Sequence, residues 1–384
     1  MMALDIQNGL ALIGGELRAS ARLVIEDGKL VAVEDVTAQP ADQVIDLKGG
    51  WLLPGFVDTQ VNGGGGVLFN DQPSAAGVAA IAAAHAQFGT TALMPTLISD
   101  SVEAVAAALD AVDDAIAQGV AGVVGVHIEG PFINPARKGI HSEERLRLLD
   151  DATIALLTAK RRGVVMLTLA PELASAEQIA ALAAAGVVLS AGHTNASYEQ
   201  ALHGFDHGIT GVTHLFNAMT PLQHRAPGVV GAALDRDDVF CGLIVDGVHV
   251  APAAVRLACR VKGADRLMLV TDAMPGVGNG GQPFMLDGRP IYVRDGKCTD
   301  AAGTLAGSGL DMASALRNTL AMTGLPVAQV SAMASATPAA YLGLAEHMGR
   351  LAVGQAADFV VLDAEMAVQQ TWIGGTCRYS AASE

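Results

Sequence analysis

Eight short apolar runs along the middle of the chain, separated by alanine-rich stretches, constrain the fold more than any other feature: GFVDTQVN, TTALMPTL, GVVGVHIEG, VVMLTLAPE, GVVLSAGHT, GITGVTHLFN, CGLIVDGVH and RLMLVTDAM. They are largely continuous rather than alternating, as strands buried on both faces must be. Segments such as AAGVAAIAAAHAQFG and SVEAVAAALDAVDDAIAQG supply helices between them. Eight strand–helix units in unbroken series predict a (β/α)8 TIM barrel, whereas a doubly wound open sheet would need an interruption in that series.

The two ends have a different texture. Residues 3 to 53 read as short alternating strands, with Gly14-Gly15 and Asp27-Gly28 as hairpin connections. From Gly354 the tail is again β-rich, and neither piece is long enough for a core of its own. The expectation is one small β-sandwich domain built from 1–53 and 346–384, flanking a barrel over 54–345. With 384 residues, of which 51% are hydrophobic, the chain can fill both cores.

A formal net charge of −16 argues against nucleic-acid or anionic-membrane surfaces, so any anionic ligand needs a local cationic pocket. Four cysteines without a CxxC pair fit reduced thiols, and the N-terminal residues lack a basic region followed by a long apolar core. A cytoplasmic, non-exported protein is the expectation.

In a barrel of this type the site forms at the C-terminal ends of the strands. There the apolar runs are interrupted by Gln60 and Asn62 (strand 1), Glu129 (strand 3), His193 (strand 5), His214 (strand 6), His249 (after strand 7) and Asp272 (strand 8). A lone histidine in such a run is ordinarily a hydrogen-bonded core residue. The set is harder to explain that way, because burying Glu129 near Asp272 without a cation would force a carboxyl pKa upward. Two imidazoles and a carboxylate suit a catalytic zinc with a fourth position for water. Glu129, His193 and His214 are therefore the candidate ligands, with Asp272 as the acid/base that moves a proton between water and a leaving nitrogen. That combination hydrolyses amides.

The motifs PGFVDTQVNGGGG, HIEGPF with Lys138-Gly139-Ile140-His141, SAGHTNA, THLFNAM and VTDAM, in this order, resemble the N-acetylglucosamine-6-phosphate deacetylases of the amidohydrolase superfamily. The resemblance implies hydrolysis of N-acetyl-D-glucosamine 6-phosphate to D-glucosamine 6-phosphate and acetate. It also implies a sugar-contacting, carbonyl-polarising His141, substrate contacts from Asn217 and Ala218, phosphate binding by Arg225 and His249, and a homodimer in which one of those two can come from the neighbouring subunit. Where the superfamily usually carries His-x-His for a second metal, this chain has the neutral amides Gln60 and Asn62, so one tightly held divalent ion, Zn2+, is expected. The alternatives are a dihydroorotase- or hydantoinase-like cyclic amide hydrolase, for which VVMLTLAPE lacks the bridging lysine, and a sugar-phosphate binder without catalysis.

The glycines carry less. Gly63 to Gly66 precede no GK[ST], so a strand-to-helix connection is favoured over a nucleotide loop. GVGNGGQ after Asp272 reads as a mobile lid or a turn, and Leu305-Ala306-Gly307-Ser308 as backbone that can approach a ligand.

Overall fold

A computed structural model describes residues 1–294 and 296–382. Eight strands form one sheet with consecutive neighbours parallel: β1 (Phe56–Val61), β2 (Thr90–Ile98), β3 (Gly125–Glu129), β4 (Val164–Leu169), β5 (Val188–Ala191), β6 (Ile209–Val212), β7 (Phe240–Leu243) and β8 (Leu267–Leu269). Every residue of β1, β2 and β3 is buried, which explains why those runs show no polar alternation. The ring closes just beyond β8, where Val61 bridges Ala273 in parallel and the Asp272 N–H donates to the Gln60 carbonyl at 3.0 Å. The chain is a (β/α)8 TIM barrel.

The helices start where sequence chemistry says they should. Ser74, Ser101 and Ser175 cap Ala75–Ala86, Val102–Ala117 and Ala176–Ala184, each accepting a hydrogen bond from a main-chain N–H three residues on. Among the described residues no helix is long and apolar enough to cross a membrane.

Strands from both ends of the chain share a sheet: Trp51–Pro54 pairs in parallel with Leu10–Ile13 and antiparallel with Phe359–Leu362. A second sheet joins Met2–Gln7, Ala21–Glu26, Lys29–Glu34 and Gln43–Asp46. Leu4, Ile6 and Leu23 share one apolar cluster with Leu351, Phe359 and Trp372, so the first and last segments bury each other. The Asp27-Gly28 hairpin turn has φ of 49° and 77°, the positive pair that a tight turn between twisted strands requires.

One element was not foreseen. Phe284–Leu286, Arg289–Arg294, Lys297–Thr299 and Leu305–Ser308 form a four-stranded antiparallel meander inserted after β8. It packs Leu286, Ile291 and Cys298 on Leu68 from the loop after β1, Ile98 at the end of β2 and Ile140 from the loop after β3. The glycine-rich segment read as a lid or turn is the root of this meander. It is tied down by main-chain bonds from Gly65 to Val277 (2.7 Å) and from Gly66 to Pro275 (2.9 Å).

Candidate active site

Glu129 is the last residue of β3, and His193 and His214 each stand two residues past their strands. Both histidines and Asp272 have positive φ, at 48°, 35° and 53°. Such a backbone costs about 1–3 kcal/mol per residue outside glycine and persists where the surroundings impose it. Here it turns three strand ends inward to one point.

Three ligand-type atoms meet there. His214 Nε2 lies 3.0 Å and His193 Nε2 3.3 Å from Glu129 Oε1, and the two Nε2 atoms are 3.0 Å apart. All three residues are buried. A tetrahedral ion with bonds of about 2.0–2.1 Å spaces its ligands roughly 3.3 Å apart, so the triangle fits a divalent metal ion. The donor chemistry agrees. His193 Nδ1 donates to the Arg137 carbonyl at 2.9 Å, which leaves Nε2 of the neutral ring with its lone pair aimed at the cluster. Burial opposes ionisation of Glu129, yet the two imidazoles hold its carboxyl well below the usual range.

Asp272 sits across from this triangle. Its Oδ1 accepts from Asn62 Nδ2 at 2.6 Å and from Gln60 Nε2 at 3.2 Å, and the same Gln60 nitrogen donates to Glu129 Oε1 at 3.1 Å. Gln60 thus bridges the two carboxylates with one NH2 group. Burial, then repulsion from Glu129, pushes the Asp272 carboxyl up to about 7.

His141 is buried, contrary to the exposed position its charged HSEER context suggests. Its Nδ1 faces the Ser99 hydroxyl at 2.7 Å and accepts the Ser99 main-chain N–H at 3.3 Å. A main-chain N–H can only donate, so the ring proton is on Nε2. Burial, then the neighbouring His193, lowers its pKa to about 3, which keeps the ring neutral.

Below the cluster runs a closed polar layer. His127 contacts Thr96 Oγ1 at 3.1 Å and Thr168 Oγ1 at 2.7 Å, and Thr168 continues through Thr213 to Ser190 at 2.7 and 2.6 Å. Burial brings His127 to about 4, so it serves as a neutral hydrogen-bonding strut.

A cavity of about 500 Å3 opens onto the cluster, and Asn62, Glu129, His141, His193, His214, Asn217, Ala218, His249 and Asp272 all line it. His249 is oriented by Asp246: its Nδ1 donates to Oδ2 at 2.6 Å, while the Val248 and His249 main-chain N–H groups hold Oδ1 at 2.8 Å each. Leu305 and Gly307 of the meander complete the wall. At Gly307, with φ of 57°, a Cβ would lie 2.8 Å from the Asp272 carbonyl and 2.6 Å from Met274, so glycine is required there. Arg225 is not brought to this cavity. It stands exposed in the loop between Thr220 and Gly228, lining a second cavity of about 440 Å3.

Sequence reasoning missed Ser99, Asp246 and Arg137. Asp246 carried a signal in its three-residue spacing from His249; Ser99 carried none.

Residues 51–378 match the amidohydrolase family. The chain belongs to that family. Among relatives of this amidohydrolase, the N-acetylgalactosamine-6-phosphate deacetylase of Shewanella sp. (strain ANA-3) is 40% identical over 377 residues, covering 96% of this chain and 94% of the relative. The N-acetylglucosamine-6-phosphate deacetylase of Bos taurus is 39% identical over 388 residues, covering 96% and 93%. The crystal structure of N-acetylglucosamine-6-phosphate deacetylase from Pasteurella multocida superposes on this amidohydrolase with a TM-score of 0.94 at 33% identity, covering 99% of this chain and 100% of that one.

Proposed function

We propose that this amidohydrolase removes acetate from N-acetyl-D-glucosamine 6-phosphate, giving D-glucosamine 6-phosphate in the catabolism of amino sugars. The observation that carries the reading is the meeting of Glu129, His193 and His214 with a separately held Asp272 at one cavity. The full-length kinship with amino-sugar-phosphate deacetylases supports it.

In this reading Glu129, His193 and His214 hold one Zn2+ per subunit, which when bound activates water and polarises the acetyl carbonyl. Asp272 takes the proton of the attacking water and delivers it to the sugar nitrogen, because an unprotonated amine leaves poorly. Asn62 and Gln60 fix the carboxylate that does this, and as neutral amides they stand where a second ion would need stronger ligands. His141 donates its Nε2–H to the oxygen that gains charge. Asn217, Ala218 and His249 hold the sugar phosphate and fix the reacting bond in place. Arg225, exposed and outside its own chain's cavity, is assigned to the site of a partner subunit in a cytoplasmic homodimer.

The Shewanella relative favours a second reading, in which the 4-epimer N-acetyl-D-galactosamine 6-phosphate is the better substrate. Acetate release from both epimers, from unphosphorylated N-acetylglucosamine and from dihydroorotate decides among the readings. Turnover of a phosphorylated amino sugar, with the unphosphorylated sugar a much poorer substrate and dihydroorotate untouched, is expected. Hydrolysis of the cyclic amide, or binding without turnover, would replace the proposal.

A further inference from the structure

The cavity that must take a sugar phosphate belongs to a protein of net charge −16 and carries the carboxylates Glu129 and Asp272 in its own wall. Its imidazoles cannot all supply compensating charge. The Ser99 main-chain N–H donates to His141 Nδ1 at 3.3 Å, which requires that nitrogen to be unprotonated, and His193 and His214 turn their Nε2 atoms to Glu129. His249 is paired at Nδ1 with Asp246. Among the described residues, Arg137 is the one lysine or arginine in the wall.

Its placement is unusual in two ways. Among the described residues, Arg137 is the only one that lines both the catalytic cavity and the second cavity that contains Arg225, so it stands between the two spaces. Its main chain is also fixed by the catalytic cluster, since the Arg137 carbonyl accepts from His193 Nδ1 at 2.9 Å and its N–H donates to the Asn134 carbonyl at 2.9 Å. The side chain is anchored at one point, Nε to Asn195 Oδ1 at 3.1 Å. That partner is a neutral amide, so the contact orients the guanidinium without cancelling its charge. The Nη edge is the part of a guanidinium that pairs with two phosphate oxygens at once.

We propose that Arg137 is a specificity-determining residue of this site, the same-chain cation that binds the phosphate of the amino-sugar phosphate between the two cavities. This rests on the function proposed above. It assigns to each subunit its own phosphate arginine, so that recognition of the charged substrate does not depend on Arg225 alone.

The test compares acetate release by the metal-loaded wild type, Arg137→Gln and Arg137→Lys on N-acetylglucosamine with and without its 6-phosphate. In Arg137→Gln the ratio of kcat/KM values, phosphorylated over unphosphorylated, is expected to fall at least tenfold through KM, with Arg137→Lys in between. Equal losses on both sugars would mean that the residue acts only by supporting His193, and an unaltered ratio would mean that it does nothing for phosphate. Either result overturns the proposal. If the wild type releases no acetate from any phosphorylated amino sugar, the reaction assignment fails by itself, and calorimetry with inorganic phosphate then decides Arg137. Binding weakened at least tenfold in Arg137→Gln supports the residue's role; equal binding, or none to the wild type, overturns it.

Discussion

Asn62 Nδ2 donates to Asp272 Oδ1 at 2.6 Å, joining the end of the first barrel strand to the end of the last. The contact lies at the barrel's closure, one residue from the bridge between Val61 and Ala273. It decides which way the carboxylate faces. Asn62→Ala removes the donor and leaves Gln60 Nε2 at 3.2 Å as a weaker, shared one. Outer-shell partners of this kind are worth about 10- to 100-fold in activity, so kcat is expected to fall by that order while metal content holds. Acetate release and elemental analysis of the same preparation check it, and an undiminished kcat would disprove the orienting role.

Asp272→Asn keeps the shape of the side chain but cannot exchange a proton. General acid–base catalysis contributes on the order of 10²- to 10⁴-fold, and turnover is expected to drop by roughly 10³. Because Asp272 stands outside the Glu129–His193–His214 triangle, the variant should still bind one ion and melt near the wild-type temperature. Full activity in a folded, metallated variant would remove the acid/base assignment.

Dialysis against a chelator should abolish turnover, and one equivalent of a divalent ion per chain should restore it. The same ion should raise the melting temperature, since a ligand that binds the folded state stabilises it. Replacing Gln60 and Asn62 together by histidine gives strand 1 two stronger ligands, and the count is expected to rise toward two. A chelated enzyme that still turns over would leave the triangle without a catalytic role.

His141→Ala removes the donor assigned to the oxyanion, and kcat should fall about 10²- to 10³-fold. Ser99→Ala should cost much less. It deletes the hydroxyl at 2.7 Å but keeps the Ser99 main-chain N–H that donates to Nδ1 at 3.3 Å, so the ring proton stays on Nε2. Similar losses in both variants would contradict the tautomer deduced from the main-chain contact.

Much of this was legible in the sequence because parallel barrel strands are buried on both faces, so each one prints an apolar run that stops where chemistry begins. Glu129, His193, His214 and Asp272 interrupt such runs, and the structure brings all four to one cavity. His141 was harder to read, because it is buried against Ser99 and His193, both far from it in the chain, while its neighbours in sequence are charged. The meander formed by the four strands between Phe284 and Ser308 escaped notice because those strands are short and part exposed, and much of the apolar surface they pack on, Leu68, Ile98 and Ile140, lies far away in the chain. Arg137 carried no signal either: its importance lies in its place between two cavities, and no local pattern encodes that.

Asp358 gives a prediction about stability rather than catalysis. It precedes the strand Phe359–Leu362, is 8% exposed, and accepts the Gly374 N–H at 2.7 Å. Burial pushes its carboxyl up to about 6 from an ordinary 3.8. The folded state therefore holds this proton more tightly than the unfolded state. The resulting stabilisation is complete below the unfolded value and is lost as pH rises through about 6. At 1.36 kcal/mol per pKa unit the effect is on the order of 3 kcal/mol. Asp358→Asn can still accept the Gly374 N–H but does not ionise, so the variant should lack this loss. Buried Asp58, pushed up to about 7, adds a similar slope to both proteins, which makes their difference the informative quantity. Denaturant melts from pH 4 to 8 should show the variant gaining on the wild type as pH rises. Parallel profiles would mean that Asp358 ionises in the folded protein as readily as in the unfolded chain.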